Sequence, residues 1–171
     1  LLPRGRGDSI PQSGSKIVKS EIISVASIKN PSEAEHHASL SCPNETWAEI
    51  DLSAISHNIK AFRRILASGC LLMAAVKANA YGHGLLKVAS AALSAGADAL
   101  GVARLSEAVR LREAGISAPV LIFGHTPPSG VGKLLDYDLI QAIYALETAR
   151  RLSDAAEKLG GKIRAHLKID T

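Results

Sequence analysis

Apolar residues recur with a helical period shortly before the middle of this chain. Residues 46–50 alternate between apolar and polar side chains and predict a short strand. Asp51 then offers an N-cap to a predicted helix that ends near Gly69. Apolar residues follow the cap at spacings of 3, 4, 3 and 4, and they form one stripe: Leu52, Ile55, Ile59, Phe62 and Leu66.

Beyond this helix, continuous apolar runs alternate with amphipathic stretches. Fully apolar strands between amphipathic helices are typical of parallel strands covered by helices. Five such steps, each of roughly 20–27 residues, fit either a doubly wound sheet or part of an eight-stranded barrel, and periodicity does not choose between them. The predicted strands are 71–76, 99–103, 120–123, 139–144 and 163–169, and helices are predicted around 85–96, 108–115, 134 and 146–159.

The first part of the chain has a different composition. Residues 1–45 are rich in Ser, Gly, Pro and charged residues, and their one apolar patch is broken by Lys and Ser. Such a segment buries too little surface to offset its ordering entropy. We therefore predict a disordered tail over 1–45 and one domain over 46–171. Because the chain begins with Leu1 rather than Met, we also expect it to be a fragment at its front end.

Composition limits the class of protein. With 47% hydrophobic but only 4% aromatic residues, the core should consist of aliphatic strand–helix layers. The net charge of +4 is spread along the chain, and no basic run is interleaved with aromatics, so no nucleic-acid partner is expected. No apolar run of about 18 residues predicts a membrane span. Cys42 and Cys70 form neither a metal-ligand spacing nor a disulfide framework, which favours a reducing, cytoplasmic compartment and no metal.

The candidate chemistry lies between residues 74 and 84. Lys77 ends an apolar strand, and an amine beside apolar walls loses its proton more easily, as Schiff-base chemistry with an aldehyde cofactor requires. Tyr81 presents a phenol suited to a phosphate oxygen, and a helix N-terminus that favours anions follows. Gly82 and Gly84 flank His83 and allow a tight turn. On spacing alone, a lysine at the end of a strand is usually a solvated cation, and Gly-His-Gly is equally typical of an ordinary turn.

The nine residues 76–84, Val-Lys-Ala-Asn-Ala-Tyr-Gly-His-Gly, closely resemble the pyridoxal-phosphate attachment site of the alanine racemase family, which are fold-type III enzymes. One departure is Ala75, where a β-branched residue is expected. The resemblance covers 46–171 and leaves the tail outside. Further segments are similar in order and spacing: 47–52 with Asn58, 107–115, 119–124 with 126–128, and 166–171.

The resemblance implies an α/β fold, a parallel (β/α)8 TIM-type barrel of which only about the first five βα units are present. It implies a pyridoxal-phosphate-dependent isomerase that interconverts L- and D-alanine and supplies D-alanine for peptidoglycan precursors. Lys77 would hold the cofactor as an aldimine and act as the base on one face of the substrate. Tyr81 would contact the cofactor phosphate. Lys168 matches a lysine that is often carbamylated in the family.

The resemblance also implies a homodimer when the protein is complete, because the second base is a tyrosine from the other subunit. That tyrosine lies beyond Thr171, so we expect this chain alone to be inactive. Three alternatives stay open. One is a racemase of serine or another small amino acid, and the second is a non-catalytic pyridoxal-phosphate-binding barrel. The third is a doubly wound binding module, although Gly82-x-Gly84 lacks the full Gly-x-Gly-x-x-Gly pattern.

Overall fold

Five parallel strands flanked by helices make up the computed structural model, which describes residues 48–169. The tail predicted over 1–45 lies outside the described residues. The strands are β1 (Met73–Ala75), β2 (Ala99–Val102), β3 (Val120–Ile122), β4 (Ile140–Ile143) and β5 (Arg164–Leu167). The helices are α1 (Leu52–Ile65), α2 (Lys77–Tyr81), α3 (Leu85–Ser94), α4 (Leu105–Glu113), α5 (Val131–Asp136) and α6 (Leu146–Lys158), and a 3-10 turn covers Pro128–Gly130.

The order of the strands settles which parallel architecture this is. Within residues 48–169, each strand pairs only with its sequence neighbours, in the order β1-β2-β3-β4-β5, and every pair is parallel. A doubly wound sheet reverses its strand order at a switch point, whereas a barrel adds each strand to the same side of the last. The sheet is therefore a section of a βα barrel, as the resemblance implies, and the doubly wound alternative is wrong.

The two faces of the sheet have different neighbours. On one face, Leu100 and Ile122 are completely buried in a cluster that also contains Leu85 of α3, Leu111 of α4 and Leu134 of α5. The cluster on the other face contains only residues from strands or their ends. It consists of Leu121, Ile140 and Ala142 with Met73 and Phe123. The second face is therefore the barrel interior, and the helices cover the outside.

Helix α1 begins as predicted. One carboxylate oxygen of Asp51 accepts hydrogen bonds from the backbone N–H of Ser53 at 2.7 Å and of Ala54 at 3.2 Å. The hydroxyl of Ser53 and these two N–H groups hold the pKa of Asp51 below its usual value. The helix ends at Ile65, before the predicted Gly69. Leu52 and Ile55 are partly buried against the core, but Phe62 is 56% exposed, so the predicted apolar stripe packs on the core only at its start and no residue of it is fully buried.

The strand predicted before α1 is not found in the described residues, and the other five strands are all shorter than predicted. Residues 48–50 are not in a strand, because none of the five strands described pairs with them, and residues 46 and 47 lie outside the described range. The predicted strand at 163–169 is shorter, and all four residues of β5 are exposed. In residues 48–169, β5 pairs only with β4 and no helix follows it. No helix in this range is both long and apolar enough to cross a bilayer.

Candidate active site

Lys77 lies where the chain leaves the sheet, as its position at the end of an apolar run predicts. The preceding residue, Val76, is only 1% exposed, and its N–H donates to the carbonyl of Gly101 at 2.8 Å. Lys77 is half-buried and begins the segment α2. Because the carboxyl ends of all five strands meet at one edge, this lysine is fixed at the edge where barrel enzymes place their reactive groups.

The backbone after Lys77 turns in the left-handed sense. Ala78, Asn79, Ala80 and Tyr81 have φ between 53° and 55°, and none of them is glycine. Left-handed backbone costs an L-residue about 1–2 kcal/mol, so a run of four requires support from the rest of the fold. The sequence did not predict this turn, because alanine favours the ordinary right-handed helix more than any other residue.

Glu107 and Asn79 supply part of that support. Glu107 Oε1 accepts a hydrogen bond from the N–H of Asn79 at 3.0 Å, and Oε2 accepts from the N–H groups of Ala103 at 3.0 Å and Arg104 at 3.2 Å. The Asn79 side-chain oxygen accepts from the N–H of Leu85 at 3.0 Å. Sequence reasoning missed both roles. The three-residue spacing from Arg104 to Glu107 is that of a capping box, but the contact with Asn79 crosses 28 residues.

Gly82 and Gly84 form the tight turn that the sequence predicts, whereas the N-terminus of the helix that follows has fewer free N–H groups for an anion than predicted. Gly82 and Gly84 adopt φ of 90° and 95°, which suits residues without a Cβ. His83 Nδ1 lies 2.8 Å from the carbonyl oxygen of Ala80. We expected the N-terminus of α3 to favour anions. Its first N–H, from Leu85, is already bound by Asn79, so fewer donors are left for a ligand than the sequence indicates.

The donors on this segment suit pyridoxal phosphate. Lys77 carries a primary amine, which could react with the cofactor's aldehyde, and Tyr81, which is 60% exposed on the same turn, carries a phenol that could donate to its phosphate. Small residues line the neighbouring strands, where Ala75 pairs with Gly101. A side chain at Gly101 would collide with the ring of Phe123, so the inner face here is shaped by the absence of that side chain.

Lys168 lies at the same carboxyl edge of the sheet as Lys77 but follows β5, four strands away from β1. Its N–H donates to the carbonyl of Ile143 at 2.8 Å, which continues the pairing of β4 with β5. Four strand spacings separate β1 from β5, or roughly 19 Å measured along the sheet. His166 pairs directly with Ala142 and therefore shares the inner face of the sheet. The described residues thus place Lys77 and Lys168 at one edge without bringing them into contact.

Comparison with known proteins gives one consistent result. Residues 50–171 match the family described as alanine racemase, N-terminal domain. The chain is 51% identical over 125 residues to an alanine racemase from Desulfosudis oleivorans, covering 73% of this chain and 32% of that protein.

Solved structures agree. An alanine racemase structure from Clostridium difficile 630 has a TM-score of 0.69 and 35% identity, covering 77% of this chain and 36% of that one. A histidine racemase from Leuconostoc mesenteroides has a TM-score of 0.62 and 30% identity, covering 67% and 30%. The chain spans about a third of the length of the curated relatives it matches.

Proposed function

Since this chain belongs to the alanine racemase family, we propose that it is part of a longer protein that interconverts L- and D-alanine with pyridoxal phosphate bound at Lys77. The observation that carries the proposal is the position of Lys77. It follows a buried strand end at the carboxyl edge of the sheet and opens a strained turn that also carries Tyr81. The amine and the phenol are therefore held on one five-residue segment.

The cofactor's conjugated ring, when bound, withdraws electrons and so stabilises negative charge at the substrate Cα. Lys77 has two tasks in this reaction. Its amine would hold the cofactor, and Nζ would take or return the Cα proton on one face of the substrate. Tyr81 would help to hold the cofactor by donating a hydrogen bond to its phosphate. Since both residues sit on one turn, movement of that turn would misplace both groups together.

Racemisation also needs a second base on the opposite substrate face. We propose that a tyrosine of a second subunit, outside this chain, supplies it, so that the working form is a homodimer. Lys168 is proposed as a carbamylated lysine that orients the group binding the substrate carboxylate. The proposed setting is the cytoplasm, with D-alanine used for peptidoglycan precursors. The 171-residue chain by itself is not expected to racemise alanine.

The likeness to a histidine racemase supports a second candidate, a racemase with another amino-acid substrate. The residues described here would serve either enzyme, because Lys77 and Tyr81 act on the cofactor and on the Cα proton, which all amino acids share. Rates measured with L-alanine, L-serine and L-histidine separate the candidates. A kcat/KM highest for alanine supports the main proposal, and a higher value for another substrate replaces it.

The cofactor assignment is tested in the longer protein by borohydride reduction after incubation with pyridoxal phosphate. We expect the visible absorption band to disappear on reduction and peptide mapping to place the adduct on Lys77. Lys77→Arg should abolish both signals. The matched control is Lys133→Arg, because Lys133 is exposed on α5 and far along the chain from the turn. An adduct distributed evenly over surface lysines, or unchanged in Lys77→Arg, would contradict the proposal.

A further inference from the structure

Glu107 is a buried carboxylate that joins two βα connections. It is 9% exposed and lies in the first turn of α4, after β2. One of its oxygens binds the N–H groups of Ala103 and Arg104, in its own connection. The other oxygen binds the N–H of Asn79, in the connection after β1. Removing a carboxylate from water is costly, and backbone donors from both connections offset that cost.

The hydrogen bond between Glu107 and Asn79 is made within the left-handed part of the turn. Asn79 is the second of four consecutive left-handed residues, with φ of 55°. Its N–H points at a carboxylate that α4 and two further N–H groups hold in place. A turn that is unfavourable for L-residues relaxes unless a rigid neighbour fixes it. Glu107 is such a neighbour, because its backbone lies in a helix and its side chain is tied at both oxygens.

Asn79 also connects the turn to the next helix, α3. Its N–H is bound by Glu107, while its side-chain oxygen accepts from the N–H of Leu85, the first residue of α3. Leu85 is 1% exposed and belongs to the main core. The turn that starts at Lys77 is thus held at its middle by α4 and at its end by α3.

We propose that Glu107 is a positioning residue that keeps the turn after Lys77 left-handed and so aims the Lys77 amine. This inference rests on the proposed function only in taking Lys77 as the attachment lysine. Both Glu107 oxygens accept from backbone N–H groups, so it acts on Lys77 through the Asn79 N–H. Its effect should therefore appear in the turn itself, before any ligand binds.

The first test measures the turn without cofactor, in the longer protein. Hydrogen exchange of a peptide covering residues 77–84 is compared between the wild type and Glu107→Gln. Glutamine keeps one acceptor oxygen but places an NH2 group toward the other set of donors. We expect exchange at Asn79 to rise about tenfold, the effect of one lost charge-assisted bond. The control is Glu113→Gln, an exposed glutamate at the other end of α4, which should leave this peptide unchanged.

The second test asks whether the turn is the route of the effect. The rate at which Lys77 forms its borohydride-reducible adduct with pyridoxal phosphate should fall about tenfold in Glu107→Gln. Adding Ala78→Gly should restore most of that rate, because Ala78 has φ of 53° and glycine adopts this conformation without a Cβ penalty. If Glu107 only capped α4, then Ala78→Gly, which lies in the connection after β1, would not restore the rate of adduct formation. Unchanged exchange at Asn79, or no rescue by Ala78→Gly, overturns the proposal.

These outcomes are separable from failure of the proposed function. A wild-type protein that forms no adduct at Lys77 contradicts the cofactor assignment, while the exchange measurement still decides whether Glu107 holds the turn. If Glu107→Gln does not fold, Glu107→Asp takes its place. Aspartate keeps the charge at the start of α4 but is one methylene too short to bind both connections. Exchange at Asn79 that matches the wild type in this variant also overturns the proposal.

Discussion

Arg112 ties together two loops at the end of the barrel opposite Lys77. It lies on α4, and its Nη1 donates to the carbonyls of Ile116 and Ala118, both at 2.7 Å, in the loop before β3. Its Nε donates to the carbonyl of Tyr137 at 2.9 Å, and Nη2 to that of Asp138 at 3.4 Å, in the loop before β4. One guanidinium therefore donates to four backbone carbonyls in two loops, and the carbonyl of Asp138 accepts from Arg164 as well.

Replacing Arg112 with Met keeps the apolar stem and removes these bonds. A hydrogen bond to a charged group contributes about 1.5–3 kcal/mol, and three bonds here are short. The guanidinium is only partly buried, and the freed carbonyls can bind water, so we expect a loss of about 2–4 kcal/mol in the free energy of unfolding. Burial lowers the pKa of Arg112, the charge of Asp138 opposes that shift and Arg164 adds to it.

Urea unfolding of the longer protein gives the measurement, with the free energy taken from the midpoint and slope. The matched control is Arg110→Met, two residues earlier on the same helix, where the side chain is exposed. This control should change the free energy by less than about 0.5 kcal/mol. Equal midpoints for the two variants would refute the reasoning, because they would show that water replaces Arg112 at no cost.

Two further predictions concern the phenol and an acidic side chain. Tyr81→Phe should weaken pyridoxal-phosphate binding by about 1–3 kcal/mol, seen as a higher Kd in an absorbance titration, and an unchanged Kd would count against the phosphate contact. The N–H of Leu72, and after it the Arg63 guanidinium, hold the pKa of Asp98 below its usual 3.8. Its stabilising contribution is therefore present above about pH 4 and lost as pH falls through the depressed folded value. Asp98→Asn should flatten the acid-side decline of the unfolding midpoint, and an unchanged decline would count against this contribution.

Much of the fold follows from local pattern. The continuous apolar runs predicted β1 to β4, since a strand covered by helices outside and other strands inside has no polar face. The predicted run at 163–169 includes Arg164 and His166, and the strand found there, β5, is exposed at all four residues. The spacing at Asp51 predicted the start of α1. The choice between barrel and doubly wound sheet was not predictable from periodicity, because strand order depends on contacts between residues about 20 or more positions apart. The resemblance to a family supplied that choice.

The candidate site shows the same division. The sequence predicted Lys77 at a strand end and a tight turn at Gly82 and Gly84, both of which are local features. It could not predict the left-handed residues between them, because their own propensity favours the opposite hand. The left-handed turn depends on the buried Glu107, which lies in the next βα connection and contacts Asn79 across 28 residues of the sequence. Local preference was overridden here by one long-range contact.

That conflict bears on whether Lys77 is a reactive group or an ordinary solvated cation. A lysine whose only task is to face water needs no particular backbone after it, and relaxed turns are available at every strand end. Here the chain instead keeps four residues in an unfavourable conformation and buries a carboxylate to hold them. Backbone strain with such support persists mainly where geometry matters to function. The strained turn is therefore independent physical support for Lys77 as the reactive lysine, apart from any likeness of sequence.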